Sequence, residues 1–149
     1  MGSIRRFFRL PIAKKRLIIE ATGLILFTRF GLYLTSIEKL QSFYQRFSKG
    51  NNYVNHKDRP DKSDIAWAID TIGQKLFKDD TCLVLAIAGQ AQLIHYGIPS
   101  KLQLGCLKGE DMSIFAHAWV ESDGDVIIGG TEDEISKYTP LTDIRKVRI

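Results

Sequence analysis

Cys82 has the surroundings of a nucleophile. It follows Asp79-Asp80-Thr81, a run of helix-capping residues, and precedes a small, apolar stretch typical of a buried helix. We therefore expect the cysteine in the first turn of a helix, where unpaired N–H groups and the helix dipole favour an anion. A thiol placed there is favoured as the nucleophilic thiolate. The alternative is a plain core position, because cysteine is among the most often buried residues.

His117 is the histidine best placed to act as the base. His56 lies in a polar segment, and His95 is on the same predicted helix as Cys82. Thirteen residues of helix separate His95 from the cysteine by roughly 20 Å, too far for proton transfer. His117 falls in a predicted strand that could pack on the Cys82 helix, although a strand histidine can also be a satisfied core residue. Because strand side chains alternate, it shares a face with Phe115, Trp119 and Glu121.

A cysteine–histidine pair usually needs a third group that fixes the tautomer of the imidazole. Mirroring the strands about the Asp123-Gly124 turn places His117 opposite Gly130, which has no side chain. The nearest carboxylates beyond it are Glu132 and Asp133. We expect the third group to be one of these two carboxylates or a backbone carbonyl.

The second cysteine, Cys106, is the rival nucleophile. It lies in a predicted strand on the face of Leu102 and Leu104, where nothing would stabilise a thiolate, and we expect it in the core. Neither cysteine belongs to a CxxC motif or a Cys/His cluster, which argues against a zinc site or a disulfide framework. Two reduced thiols favour a cytoplasmic protein. The proposed chemistry requires no metal or cofactor.

Helices are predicted first along the chain. The region from Pro11 to about Ser48 has helical periodicity, with a break at Thr35-Ser36. A third helix is expected from Ile65 to about Phe77, capped by Ser63 or Asp64. The Cys82 helix should end near Tyr96, at Gly97. In the first predicted helix, apolar residues recur at three- and four-residue spacing: Leu17, Ala21, Leu24, Phe27, Gly31 and Leu34.

The apolar period changes to two after Pro99, which predicts strands. Three strands are expected, over 102–107, 114–121 and 126–128, and Asp123-Gly124 is a strong hairpin signal. Ile144 to Ile149 could form a last short strand. Helices followed by an antiparallel sheet predict an α+β fold, and 149 residues suffice for one compact domain.

Charge divides the chain into a basic front and a mildly acidic remainder. Residues 1–49 hold ten Lys or Arg and two Glu, a net charge of +8, and the remaining hundred residues have a net charge of −4. We expect a basic helical N-terminal region over 1–50, a loop over 51–62 and a core over 63–149. A basic front suits an acidic peptide, a partner protein or anionic lipid, or is simply a solvated helix face. It lacks the interleaved aromatics and glycines of RNA-binding motifs, so no nucleic-acid partner is expected.

Leu17 to Leu34 is the most hydrophobic stretch, but Glu20 and Arg29 interrupt it. A bilayer span needs about 20 mostly apolar residues. No A-x-A cleavage site follows the stretch, so it also fits a secretory signal poorly. We expect a soluble protein, with contact to a membrane surface as a minor alternative.

Together, these motifs resemble the B-type leader peptidases of lasso peptide biosynthesis. The resemblance is carried by Asp80-Thr81-Cys82-Leu83 opening a helix, by Tyr96-Gly97-Ile98-Pro99 and the strand after it, and by Ala116-His117-Ala118-Trp119-Val120-Glu121. It covers the chain from about Ile12 to Gly130.

The resemblance implies a papain/transglutaminase-like core and a Cys-His-Asp triad, with Cys82 and His117 in the first two places. The family's Asp falls on the strand after the hairpin, where residues 126–130 of this chain have none. The implied substrate is a ribosomally made precursor peptide, whose leader is removed before a separate cyclase closes the macrolactam.

The short helical front has no strands for a fused leader-binding domain. A separate leader-recognition protein is therefore implied, and we expect it to dock on Lys14 to Phe47. Two alternatives stay open: a transglutaminase-like acyltransferase, in which an amine replaces water, and a non-catalytic peptide-binding module of the same fold.

Overall fold

Four helices precede a small antiparallel sheet in the computed structural model, which describes residues 7–49, 59–77 and 81–141. The helices are α1 (Ile12–Leu34), α2 (Ile37–Lys49), α3 (Lys62–Leu76) and α4 (Cys82–His95). The strands are β1 (Lys101–Lys108), β2 (Ile114–Ser122), β3 (Asp125–Ile128) and β4 (Thr139–Pro140), with the one-turn α5 (Glu132–Ile135) between β3 and β4. The sheet order is β3-β2-β1-β4, and the α+β fold expected from the sequence is confirmed.

Helix α4 forms the centre of the core, because its sequence is small or apolar on all sides. Gly89 lies so close to Ile128 of β3 that an added Cβ would overlap the isoleucine side chain. Gly97, with φ of 68°, ends the helical segment as expected from the sequence. The chain then turns directly into β1, so α4 and β2 run in the same direction.

The two faces of the sheet are covered by different parts of the chain. Leu102, Ala118, Val120 and Ile128 share the main core with α3 and α4, and we call this the inner face. On the outer face Trp119 is 1% exposed and lies outside that core cluster. The segment that contains α5 and β4 crosses this outer face. The sequence did not predict this segment, because its polar composition has no period.

Helix α1 is part of the core and not an appendage. Its buried residues, Leu17, Ile18, Ala21, Ile25 and Thr28, face α3 and α4. The hydroxyl of Tyr96, at the end of α4, donates to Glu20 of α1 at 2.6 Å. Of the apolar residues that indicated the helix, Leu24 packs against the core, whereas Phe27 and Leu34 are exposed. Because apolar residues lie on most sides of α1, the periodicity of its sequence does not indicate which side is buried.

By length and composition α1 could also cross a membrane, and it is the one described helix for which this holds. In this fold 28% of the most apolar stretch of α1 is buried, and the larger part is not.

Two predicted helix caps differ from the structure. Helix α3 begins at Lys62, and Asp61 is its N-cap residue, accepting from the Ser63 N–H at 3.4 Å. Asp64 instead forms an ion pair with Lys14 at 3.2 Å. Thr81 precedes α4 but makes no side-chain capping bond. The strand predicted for Ile144 to Ile149 lies outside the described residues.

Candidate active site

Cys82 is the first residue of α4, as the sequence predicts. Its side chain is partly exposed and packs against the edge of the core. The first turn of α4 contains no acidic residue, so the positive end of the helix dipole is not neutralised within the helix. Over the described part of the chain, the thiol has no hydrogen bond. Position and partial exposure therefore suit a nucleophile, and a base has to come from elsewhere.

His117 lies in β2 opposite Gly105 of β1 and is partly buried. Its ring stacks on Trp119 with centroids 6.3 Å apart, and the Tyr138 ring lies 5.2 Å away. The Nε2–H of the imidazole donates to the carbonyl oxygen of Gly129. Because a carbonyl only accepts, this bond fixes the proton on Nε2 and leaves the lone pair of the neutral ring on Nδ1. The ring is thus held as a base with one defined accepting atom.

Gly129 can reach His117 because of two local backbone features. A register shift between Val120 and Glu121 pairs Val120 with Ile128, where β3 ends, so no residue of β3 pairs with His117. Gly129 then takes a φ of 100°, and an added Cβ would lie 2.7 Å from the Ala118 carbonyl oxygen. The expectation that His117 faces Gly130 was wrong, because mirroring about the turn assumes a hairpin without this shift.

Neither Glu132 nor Asp133 contacts the imidazole; both are exposed in the first turn of α5. That turn is closed by a capping box between Thr131 and Glu134. The Thr131 backbone N–H and hydroxyl lower the pKa of Glu134, with smaller contributions from the charges of Lys137 and His117. Of the three predicted orienting groups, the backbone carbonyl is therefore the one that the structure places on the ring.

Cys82 and His117 lie at the same end of the α4–sheet unit. Gly89 contacts Ile128, and Ile128 pairs with Val120. Cys82 is seven residues before Gly89, about 10 Å along the helix axis, and His117 is three residues before Val120, about 10 Å along the strand. Since α4 and β2 run in the same direction, the two residues reach a similar level.

Their side chains are nevertheless not joined. Helix α4 packs on the inner face of β2, through Ala118 and Val120. His117 is on the outer face of the strand, where its ring stacks on Trp119. Among the described residues there is no hydrogen bond between Cys82 Sγ and the imidazole. The catalytic pair therefore stays a prediction, although both residues occupy the same end of the fold.

Of the other polar residues singled out in the sequence, Glu121 has a structural role. Glu121 accepts the Trp119 indole N–H at 2.8 Å and the Gln103 amide at 3.2 Å, so it anchors the tryptophan. Cys106 lies mid-strand between Ala116 and β4 and is partly exposed. His95 is at the far end of α4, against the Tyr96 ring. His56 lies outside the described residues.

An exposed apolar tip lies next to His117. Met112 lies in the turn between β1 and β2, Ile114 and Phe115 are the first residues of β2, and all three are exposed. Phe115 has the same strand parity as His117, two residues away. Exposed apolar side chains beside a candidate active site are suited to contacting an extended peptide.

Sequence reasoning missed Gly129 and Tyr138 as parts of the histidine's surroundings. The consecutive glycines 129 and 130, directly after a strand, were the available signal, because adjacent residues with positive φ mark a sharp change in chain direction. Tyr138 had no such signal, since its position depends on how the polar tail folds back over the sheet.

Comparison with known proteins assigns the family. A family model described as the transglutaminase-like superfamily matches residues 26–143, more than half of the chain. Searches of curated proteins and of solved structures found no significant match. The match begins within α1 and includes the Cys82 helix, the His117 strand and the segment that covers Trp119. The chain therefore belongs to the transglutaminase-like superfamily, with the α+β papain/transglutaminase-like core and helical N-terminal region predicted from its sequence.

Proposed function

We propose that this protein is a cysteine peptidase that removes the leader from a ribosomally made lasso precursor peptide in the cytoplasm. Cys82 is the nucleophile and His117 the base. The observation that supports the proposal is that a transglutaminase-like fold contains both a cysteine that opens a helix and a histidine whose Nε2–H is bound to a carbonyl. Membership of the superfamily supports chemistry of the cysteine protease or acyltransferase type. The lasso precursor as substrate is a more specific proposal.

The reaction is acyl transfer. Nδ1 of His117 takes the thiol proton, and the Cys82 thiolate attacks the scissile carbonyl carbon. The Cys82 backbone N–H at the start of α4 stabilises the oxyanion. The imidazolium returns the proton to the leaving amine as the C–N bond breaks, and water then hydrolyses the thioester. The Gly129 carbonyl accepts from Nε2–H in both the imidazole and the imidazolium, at the place where the resemblance implies a carboxylate.

The thiol and the imidazole have to approach each other for this reaction. Catalytic hydrogen bonds are often long in ligand-free enzymes and shorten when substrate binds. We expect the precursor peptide to bring the pair together by binding over the apolar tip that contains Phe115. A non-catalytic peptide-binding module of the same fold is the second candidate, and the missing contact between Cys82 and His117 favours it.

The test is incubation with the precursor peptide, with and without a leader-recognition protein, read by mass spectrometry. We expect a single cut that releases the leader, which Cys82→Ala and His117→Gln abolish while the circular dichroism spectrum is kept. Cys106→Ala is the matched control and should retain cleavage. Cleavage that persists in Cys82→Ala would exclude Cys82 as the nucleophile. A product heavier by an added amine would identify an acyltransferase instead.

Reactivity toward iodoacetamide separates the enzyme from the binding module without a substrate. A Cys82 activated by His117 should be labelled faster than Cys106 at neutral pH, and His117→Gln should remove the difference. Equal labelling of the two cysteines, together with peptide binding without cleavage, would favour the module.

The partners follow from the same proposal. A separate leader-recognition protein would deliver the precursor to the basic helical front, Lys14 to Phe47, and the cyclase that closes the macrolactam would act afterwards. Deleting residues 1–50 would not test this docking cleanly, because Leu17, Ala21 and Ile25 are core residues. Substitutions at exposed positions of α1 and α2 are the better probe.

A further inference from the structure

The side of α1 that faces away from the core has the repeat of a coiled-coil interface. Ile12, Ile19, Leu26 and Tyr33 recur every seven residues, and the alternating positions between them hold Arg16, Gly23 and Phe30. The five large hydrophobic side chains are between 51% and 84% exposed. We call this row the α1 seam. No described element covers the α1 seam. Its residue spacing is that of the side chains that pack into a partner helix in a coiled coil.

An open cavity of about 510 Å³ lies beside the seam, between α1, α2 and α4. Three aromatic residues form one wall: Phe27 stacks on Phe43 with centroids 5.6 Å apart, and Phe43 stacks on Phe47 at 6.0 Å. Gly23 belongs both to the seam and to the cavity, and a Cβ added there would meet no atom within 4 Å. We call this cavity the aromatic pocket. A large side chain from a helix on the seam could enter it at Gly23.

One residue that lines the aromatic pocket has a buried hydrogen-bond acceptor. Gln92 lines it and is fully buried. Its Nε2 donates to the Leu17 carbonyl at 3.2 Å and to Glu20 at 3.4 Å, which fixes the orientation of the amide. Over the described residues, Oε1 of Gln92 has no partner. A buried acceptor of this kind is suited to a ligand that brings an N–H or O–H into an apolar site.

Basic charges predominate around these features, although Glu20 lines the pocket, paired with Arg16, and Glu38 lies in the first turn of α2. Lys15 and Arg29 flank the seam, and Lys39 and Arg46 lie on α2. None of the four has an ion-pair partner among the described residues, whereas neighbouring Lys14 and Arg16 are paired with Asp64 and Glu20. The surface therefore attracts an acidic partner, as flanking positions of a coiled coil do.

We propose that the α1 seam and the aromatic pocket together bind an acidic amphipathic helix of a partner protein, with a tryptophan or tyrosine seated in the pocket. The ring would fill the space between Gly23 and the phenylalanines, and its N–H or O–H would donate to Gln92 Oε1. That the leader-recognition protein supplies this helix rests on the proposed function. The chemistry that the site would recognise does not depend on that function.

Two other occupants fit less well. Lipid acyl chains have no donor for the buried Gln92 acceptor, although the basic rim would attract anionic headgroups. In a second copy packed antiparallel, Lys15 would face Arg29 of the other copy across the seam, so like charges would repel.

The test uses full-length protein and a fluorescein-labelled synthetic helix of three heptads. The probe has Leu at its core positions, Glu at the flanking positions and one central Trp. One control peptide replaces Trp by Leu, and a second replaces every Glu by Lys. We expect fluorescence anisotropy to show that each control binds about tenfold more weakly than the probe.

Matched protein variants locate the site. Gly23→Leu fills the pocket and should weaken Trp-probe binding about tenfold, whereas Gly23→Ala should change it less than about twofold. Phe47→Glu should repel the acidic probe, whereas Gln45→Glu, an equal charge change on another side of α2, should not. Gln92→Met should remove the preference for Trp over Leu, because the acceptor is lost.

The outcomes are distinguishable. Equal binding of the Glu and Lys peptides, or wild-type binding by Gly23→Leu, would overturn the inference. Sedimentation with phosphatidylserine-containing vesicles without probe binding would point to lipid, and a dimer in light scattering that Gly23→Leu dissolves would point to a second copy. Cleavage of free precursor should survive in Gly23→Leu, and probe binding should survive in Cys82→Ala, so this inference and the proposed function can fail separately.

Discussion

Gly129 shows how a single residue without a side chain can organise a candidate site. Its backbone oxygen accepts from His117, and its positive φ brings that oxygen to the ring. An aspartate expected on this part of the chain from the sequence resemblance is absent, and the close approach to Ala118 and Trp119 leaves no room for a Cβ at this position. The sequence could show that an aspartate was missing. It could not show which group replaces the aspartate, because that depends on the register shift between β2 and β3.

Gly129→Ala is predicted to destabilise the protein and to disturb His117. Strained φ and overlap with backbone atoms should together lower the free energy of unfolding by about 2–4 kcal/mol. Gly124→Ala is the control: its φ is also positive, at 91°, but its Cβ would have open space, so we expect about 1 kcal/mol. Urea denaturation measures both. Equal losses would mean that close packing at Gly129 has no energetic role.

Phe115→Ser is predicted to weaken substrate binding with little effect on the chemical step. Loss of the exposed ring beside His117 should raise KM for the precursor about tenfold and leave kcat nearly unchanged. Steady-state kinetics gives both constants. Phe8→Ser, a comparable change at an exposed phenylalanine before α1, is the control. An unchanged KM in Phe115→Ser would remove the apolar tip from the peptide-binding surface.

At the scale of elements, hydrogen bonds from α4 keep α1 in place. Tyr96 and Gln92 of the α4 region both bond to Glu20, which is also paired with Arg16. Burial, and then the hydrogen bond to Glu20, raise the pKa of the Tyr96 hydroxyl. This contact requires the neutral phenol, because a phenolate could not donate to a carboxylate.

Alkaline stability should therefore depend on Tyr96. A phenol whose pKa is higher in the folded than in the unfolded state contributes stability below the unfolded value of 10.0 that is lost as pH rises above it. We expect the free energy of unfolding to decline above about pH 10, and Tyr96→Phe to flatten that decline. Tyr44, whose pKa burial also raises, supplies the comparison variant Tyr44→Phe. Identical pH profiles for wild type and Tyr96→Phe would contradict this role.

Element boundaries were predictable where local chemistry decides them. The start of α4 at Cys82, the left-handed Gly97 and the Asp123-Gly124 turn all follow from capping and turn preferences. The buried side of α1 and the α5–β4 segment were not, since both depend on which surfaces other elements leave free.

At the scale of the whole molecule, the helical front and the sheet share one core. Leu17, Ala21 and Ile25 of α1 are buried together with Leu93 of α4 and Val120 of β2. The family match likewise begins within α1. The division at residue 50 expected from charge therefore describes the surface, and the apolar interior is continuous across it.

Adjacent residues of α1 should behave very differently when truncated. Ile25 is fully buried, and Ile25→Ala should cost about 2–5 kcal/mol through lost burial and a cavity. Leu26 is 51% exposed, and Leu26→Ala should cost less than about 1 kcal/mol. Chemical denaturation of both variants checks the difference. A small loss for Ile25→Ala would mean that α1 is only loosely attached to the rest of the protein.

The two-residue strand β4 affects how this protein behaves among its own copies. It is an edge strand of the sheet, and Pro140 within it has no N–H that could pair with a neighbouring chain. Short border strands that contain proline resist the stacking of sheets from separate molecules into fibrils. Concentrated solutions should thus be protected from amyloid-type growth at this edge of the sheet.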